Sequence, residues 1–290
     1  GNSSPFCLDG LKDIYFKDNK YSEFAETLKK LSPDSIENVA SVNYYLALTR
    51  YSQLKYLEET KSWDEYFAKG NDYRQDIIDG SKNAISATLP KDPLHIKARL
   101  LIYQFHKDQQ DALVDASLTD LVASVLEYAR SGDDIKTIKE AADSLWAYDE
   151  KIKSRELYKI YAQKLSNPKI KDEVLKDTAA NFYKEGNLEL AQNVYDIYIE
   201  RIAQSLTKEG FVEELISIAR DFAYKDNGAR DMGYAEEIFK RIEDTAGKDA
   251  FDEELNYLRG FNLEKIKAYA QAKDIYIDFL KRFPDSPHAN

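Results

Sequence analysis

The residue types that most often bind metals or act as bases and nucleophiles are scarce in this chain, which has three histidines and one cysteine. His95 and His106 lie about 16 Å apart if they share one helix, since each residue adds 1.5 Å. They cannot bind one metal ion, and Cys7 alone cannot form an intramolecular disulfide or a multi-cysteine metal site. We expect packing or surface histidines and a passive thiol.

Adjacent carboxylates occur at several places, as expected in an acidic chain. Asp133–Asp134 is typical of a helix start, where negative charge suits the helix dipole. Glu58–Glu59 and Glu253–Glu254 are typical of solvated helix faces. The chain has no glycine-rich nucleotide-binding loop, no HExxH and no GxSxG. We therefore expect no catalytic residue, no metal site and no cofactor.

The overall composition narrows the class of protein. The 290 residues are 43% hydrophobic and 32% charged, with only seven prolines and eleven glycines. This favours a folded helical protein over a disordered chain or a β-sandwich. A net charge of −11 argues against a nucleic-acid partner. The longest run without charge, Asn38–Thr49, is too short to cross a bilayer, which needs roughly 20 apolar residues.

A repeated pattern of small and aromatic residues indicates that the chain is organised as pairs of helices. In the last unit, Gly260 precedes a turn and is followed by Ala272, Tyr276 and Phe279. The small residue of the first helix recurs at 142, 179, 219 and 260, and that of the second helix at 154, 191, 235 and 272. Two helices approach closely only where a side chain is small, and the aromatics fill the space beside the crossing. Such pairs must stack to bury both faces.

These four units resemble the tetratricopeptide repeat. The last unit matches best, at Gly260, Leu263, Tyr269, Ala272, Tyr276, Phe279 and Pro284. It departs from the family at Asn256, where a large apolar residue is usual, and the other three units lack the closing proline at its usual position. The resemblance implies an all-α fold, a right-handed superhelix of roughly twelve to fourteen helices.

The N-terminal half is less regular. It begins with a degenerate helix pair that includes Tyr21 and Phe24 and ends at Pro33. The further helices are predicted at Ser35–Glu59, Tyr73–Thr88, Leu94–Lys107 and Ala112–Arg130, with Thr60–Tyr73 interrupting the first two. We predict irregular repeats over 1–131 and four regular repeats over 132–290, continuous as one solenoid.

The resemblance also implies a binding surface, because the first helix of each repeat lines the concave groove of a tetratricopeptide array. The corresponding positions that could bind a peptide or protein are Lys139, Trp146, Lys176, Tyr183, Lys184, Arg220, Tyr224, Tyr257 and Phe261, followed by Lys265. Aromatic side chains there could stack on a bound segment while the cations read its charge. The alternative is that long amphipathic side chains cover a solvated face.

The family's pocket for a terminal carboxylate needs lysine and asparagine four residues apart. The matching positions here are Lys139 and Asp143, and an aspartate would repel the ligand. Asp177 stands where another asparagine belongs. We expect no such clamp.

The leading hypothesis is a non-enzymatic scaffold whose partner is another protein or a peptide segment. A superhelical enzyme that acts on cell walls and a purely structural oligomerisation module remain as alternatives. The last forty or so residues are similar to repeats of bacterial envelope proteins, the outer-membrane barrel-assembly lipoprotein and the Tol–Pal-associated division coordinator. This favours a periplasmic or envelope location over a cytoplasmic one. The sequence leaves the oligomeric state open.

Overall fold

The computed structural model describes residues 5–31, 36–131, 134–224 and 231–289, and within these ranges the chain has fourteen α-helices and no strand. The all-α class is therefore confirmed. The helices are α1 Pro5–Lys17, α2 Tyr21–Lys30, α3 Ile36–Glu59, α4 Trp63–Ser86, α5 Pro93–Gln109, α6 Val114–Ser131, α7 Ile135–Ala147, α8 Lys151–Leu165, α9 Asp172–Lys184, α10 Leu188–Ser205, α11 Lys208–Phe222, α12 Met232–Ala246, α13 Glu253–Lys265 and α14 Tyr269–Arg282. Among the described helices, none combines the length and the apolar character that crossing a membrane requires.

Side-chain caps explain where several helices begin. Asp92, Asp134, Asp231 and Asp252 each accept a hydrogen bond from a backbone N–H in the first turn of the following helix. Such caps satisfy donors that have no partner within the helix. The predicted helix start at Asp134 is confirmed, whereas Asp133 lies outside the described residues.

The fourteen helices form seven consecutive pairs joined by short connections. In six of these connections one residue has a positive φ: Asn19, Lys61, Gln110, Asp149, Gly186 and Lys267. The next residue donates its N–H to the carbonyl five positions earlier, as Ala268 does to Leu263 at 2.9 Å and Asn187 to Phe182 at 2.8 Å. This is the Schellman geometry, which ends a helix and reverses the chain. The α11–α12 connection contains 225–230, outside the described residues.

The small residues predicted at the helix crossings are all buried, at 142, 154, 179, 191, 219, 235, 260 and 272. Two of them show why size matters. Ser154 Oγ donates to the carbonyl of Ala142 at 2.7 Å, so α7 and α8 approach to hydrogen-bond distance. A methyl group on Gly260 would lie 2.6 Å from the Tyr276 ring. Small side chains therefore set the spacing of these pairs.

One prediction for the N-terminal half is wrong. Thr60–Tyr73 was expected to interrupt the helices, yet α4 already begins at Trp63. Only Thr60–Ser62 form the connection, with Lys61 at a φ of 56°. One left-handed residue reverses the chain without glycine or proline, so the sequence carried no turn signal there. Pro33, at the predicted end of the first pair, lies outside the described residues.

The chain divides into two compact units, 1–164 and 165–290. The first unit has one core around Ala47, Ile77 and Leu101 and another around Leu8 and Phe24. The second unit consists of three helix pairs, α9–α10, α11–α12 and α13–α14. The predicted division at 131/132 concerns repeat regularity and stays a prediction.

Candidate peptide-binding surface

The first helices of the second unit, α9, α11 and α13, are linked by side chains at equivalent positions. Lys176 Nζ donates to Glu214 at 2.7 Å, and Tyr183 OH donates to the carbonyl of Asp221. The backbone N–H of Tyr224 donates to Asn262 Oδ1 at 3.2 Å. In each of these bonds the partners are 38 residues apart. Successive pairs therefore repeat one packing arrangement, and we call the surface formed by α9, α11 and α13 the first-helix surface.

Two of the predicted binding cations are engaged within this surface. Lys176 is paired with Glu214, and Arg220 Nη2 lies 3.1 Å from Glu254 Oε2. Both pairs bridge neighbouring first helices. Lys184 is exposed and has no acidic partner among the described residues. The surface is therefore less basic than its residue types suggest.

The predicted aromatic residues separate into two groups. Tyr183 serves the scaffold, since its ring lies 4.9 Å from that of Phe222 and its hydroxyl bonds to α11. The other group is the ring cluster, which we define as Tyr224, Tyr257 and Phe261. Tyr224 and Phe261 meet edge to face at 5.1 Å, and Tyr257 is stacked on Phe261 at 6.2 Å.

A lysine completes the ring cluster. The ammonium of Lys265 lies 4.6 Å from the Phe261 ring centroid and 5.0 Å from that of Tyr224. Both distances suit a cation–π interaction. Lys265 is exposed and has no acidic partner among the described residues, so its charge remains open to solvent and to a ligand. All three cluster rings are half-buried.

A segment of the chain itself lies on the ring cluster. The His288 imidazole stacks on the Tyr257 ring at 4.1 Å, with an angle of 16° between the planes. Ser286 Oγ donates to Glu253 Oε1 at 2.6 Å and accepts from the His288 N–H at 3.1 Å. We call Phe283–Ala289 the terminal segment. Sequence reasoning missed His288 because Tyr257 lies in a different helix and no local pattern connects the two.

Lys139 and Trp146 belong to the first unit. Lys139 Nζ lies 2.8 Å from Asp143 Oδ2, and Asp143 also accepts a 2.6 Å hydrogen bond from Tyr158 OH. Asp143 therefore has two donors within the scaffold. Trp146 is half-buried, with the Lys151 ammonium 5.7 Å from its ring centroid.

The histidines that could do acid–base chemistry are buried in helix packing. His95 and His106 have 6% and 4% of their surface exposed. Burial, then nearby Arg99, lowers the pKa of His95. His106 Nδ1 lies 2.6 Å from Oδ2 of Asp111, a residue in the connection that follows α5. Cys7 is exposed, and within the described ranges no cluster of three or more possible metal ligands occurs.

Among the described residues of the second unit, the most buried carboxylate is a structural one. Glu236, 6% exposed at its side chain, lies 2.9 Å from Arg259, which also pairs with Glu243 at 2.6 Å. Burial alone would lower the pKa of Arg259, but the hydrogen bonds to Glu236 and Glu243 outweigh it and raise the pKa. These three side chains join α12 to α13 and leave Glu236 paired.

Comparison with family models and with curated proteins gives no indication of function. No family model matches the chain, and no curated protein matches it. The candidate function therefore rests on the geometry of the first-helix surface and the ring cluster.

Proposed function

We propose that this protein is a non-enzymatic scaffold of tetratricopeptide-like helix pairs that binds a peptide segment of another protein on the first-helix surface. The recurring turn geometry and the recurring 38-residue contacts support a repeat architecture. A right-handed superhelix, which would make this surface concave, is part of the proposal. So is a bacterial envelope location, which rests on the similarity of the last repeat to envelope proteins.

The observation that carries the proposal is the stacking of His288 on Tyr257. The terminal segment turns back onto the ring cluster, and its Ser286 hydroxyl donates a hydrogen bond to Glu253. A partner segment with a planar side chain would therefore take the place of His288 on the Tyr257 ring. Aromatic rings that stack on such groups are a recurring basis of peptide recognition.

The ring cluster also indicates the chemistry of the partner. Lys265 lies over two rings without an acidic partner among the described residues. A segment that carries an aromatic or histidine side chain next to an acidic one would satisfy both the rings and the cation. Charge-assisted contacts of this kind contribute more than neutral ones.

The test is affinity capture of proteins from an extract of the source organism, followed by direct titration of the recovered partner. The variants are Lys265→Glu and Tyr224→Ala, which alter the ring cluster and leave the Lys176–Glu214 and Tyr183–Asp221 contacts intact. The predicted sites Tyr183 and Arg220 are less suitable, because their contacts join helices and substitution would disturb folding as well as binding.

The matched controls are Lys273→Glu, an exposed lysine of α14, and Phe67→Ala, an exposed aromatic of the first unit. We expect both cluster variants to weaken partner binding by about tenfold or more, which corresponds to losing one charge-assisted or stacking contact. Both controls should bind normally. Equal affinity of all four variants and the parent would refute the proposed surface.

A further inference from the structure

Two adjacent cavities in the first unit share one boundary. Their volumes are about 290 and 190 Å³, and both are lined by Asp9, Tyr44, Tyr45 and Lys97. Small-molecule sites typically measure about 300–1,000 Å³, so the joined space is of the right size for a small ligand. We call the two cavities together the Tyr44 groove. None of the binding residues predicted from the sequence lines either cavity.

The wall of the larger cavity is mostly apolar, whereas that of the smaller cavity is mixed and includes Lys12, Gln104 and Glu140. The larger cavity is bounded by Ala40, Ala87, Pro93 and Leu94, and the smaller one by Leu48, Leu100 and Leu101. Burial raises the pKa of Tyr44, with a smaller effect from Asp9 and Glu140, so its phenol stays neutral. Tyr44 and Tyr45 contact each other edge to face at 5.3 Å. A ligand in the larger cavity would meet rings and aliphatic groups over most of its surface.

The acidic groups of the groove already have partners. Asp9 lies 3.5 Å from Lys12 Nζ, and Asp92 accepts from the Leu94 N–H at 2.8 Å. Glu140 lies 3.6 Å from Lys136 Nζ. Burial raises the pKa of the Tyr45 phenol, and a hydrogen bond with Asp9 raises it further.

Lys97 differs from these groups. It is half-buried at the junction of the cavities and has no acidic partner among the described residues. Asp9, Asp92 and Glu140 also line the groove, but none of them forms an ion pair with Lys97, so the Lys97 ammonium is open to an anion, while the mostly apolar wall of the larger cavity favours an apolar chain.

We propose that the Tyr44 groove binds an amphipathic carboxylate, with the carboxylate on Lys97 Nζ and the apolar part in the larger cavity. The ligand is either a free organic acid or the terminal carboxylate of a peptide that ends in an aliphatic residue. This site is independent of the first-helix surface, and neither proposal depends on the other.

The first experiment uses three probes with one carbon skeleton: 4-phenylbutyrate, 4-phenylbutylamine and 4-phenylbutanol. Their binding to the full chain is measured by ligand-observed NMR, with contacts to the Tyr44 ring as the site marker. We expect the acid to bind at least tenfold more tightly than the amine or the alcohol. Equal binding of the three, or no binding of the acid at millimolar concentration, would overturn the proposal.

The second experiment tests whether the ammonium of Lys97 binds the carboxylate. Lys97→Met keeps the aliphatic stem and removes the ammonium, and Lys91→Met makes the same change at an exposed lysine before α5. We expect the first to weaken acid binding about tenfold or more, in line with the loss of a charge-assisted hydrogen bond, and the second to leave it unchanged. Thermal unfolding should be the same for both, since Lys97 forms no hydrogen bond or ion pair within the described residues. Identical acid binding by both variants would refute the role of Lys97.

A last comparison separates the two ligand sources. Octanoate is titrated beside acetyl-Ala-Ala-Leu with a free terminus and the same peptide with an amidated terminus. Preference for the free-terminus peptide assigns the groove to peptide termini, and preference for octanoate assigns it to organic acids. Measurable and equal binding of both peptide forms contradicts carboxylate recognition.

Discussion

Three glycines in helices differ in what a methyl group would meet, and this difference predicts an ordered series of stabilities. At Gly80 of α4, an added Cβ would lie 2.7 Å from the carbonyl oxygen of Asn43 and 3.0 Å from Ala47 Cβ. At Gly70 the nearest atom is Arg74 Nη1, at 3.0 Å. At Gly10 of α1 nothing lies within 4 Å.

Two opposing effects set the magnitude. Alanine is preferred over glycine in a helix interior by about 0.8–1 kcal/mol. Overpacking a close contact costs about 1–3 kcal/mol, and the upper end applies at Gly80 because backbone of α3 would have to move. We expect Gly80→Ala to lower the free energy of unfolding by about 1–2 kcal/mol, once the helix preference has offset part of the clash.

The other two substitutions serve as internal controls. The Arg74 guanidinium can shift, but its hydrogen bonds to Gln109 and Tyr66 would be disturbed and would offset the helix preference, so Gly70→Ala should be nearly neutral. Gly10→Ala should raise stability by up to about 1 kcal/mol. This gain should register in global unfolding, since Leu8 of the same helix is buried against Phe24 and Leu28.

Thermal and urea unfolding of the three variants and the parent measure the series. A change of 1 kcal/mol shifts Tm by about 2–4 °C in a unit of this size. Gly80→Ala should unfold at the lowest temperature and Gly10→Ala at the highest. If Gly80→Ala is as stable as Gly10→Ala, α3 and α4 separate at little cost, and the argument that small residues set helix spacing is wrong.

Three further predictions concern turns, ion pairs and pH. Lys267 has a φ of 65°, so Lys267→Gly should raise the free energy of unfolding by about 1 kcal/mol, measured in urea; an unchanged midpoint would show that the turn is unstrained. Arg259→Leu should destabilise by about 3–5 kcal/mol because it leaves Glu236 buried without its partner, and the double variant with Glu236→Leu should recover much of the loss in the same assay; equal losses in both would contradict this. Burial lowers the pKa of His95 from 6.5, so the unfolded chain binds more protons on acidification and stability should fall as the pH drops below 6.5. His95→Gln should weaken this dependence, and an unchanged pH profile would assign it to other groups.

The helices could be predicted from the sequence because their signals are local. The periodic apolar residues, the helix start at Asp134 and the small residues at 142, 179, 219 and 260 act within one helix or across one turn. The start of α4 could not be predicted, because Lys61 adopts a left-handed conformation that residue type does not favour.

The candidate site was predictable only in part. The residue types of Tyr224, Tyr257 and Phe261 indicated an aromatic surface, and the structure brings these three rings together. Lys176 and Arg220 were expected to make the surface basic. Both are instead paired with carboxylates of the next helix pair, and no local sequence pattern reveals such partners.

The sequence by itself determined the helical class, the pairing of neighbouring helices and the small residues at their crossings, since side-chain volume and periodicity act over short distances. Only the tertiary structure decided which cations are neutralised, that His288 lies on Tyr257, and that Tyr44 and Lys97 line a shared groove. The reason is physical. Charge pairing, ring stacking and cavity shape depend on side chains that are distant along the chain, and their positions are set when the helix pairs pack.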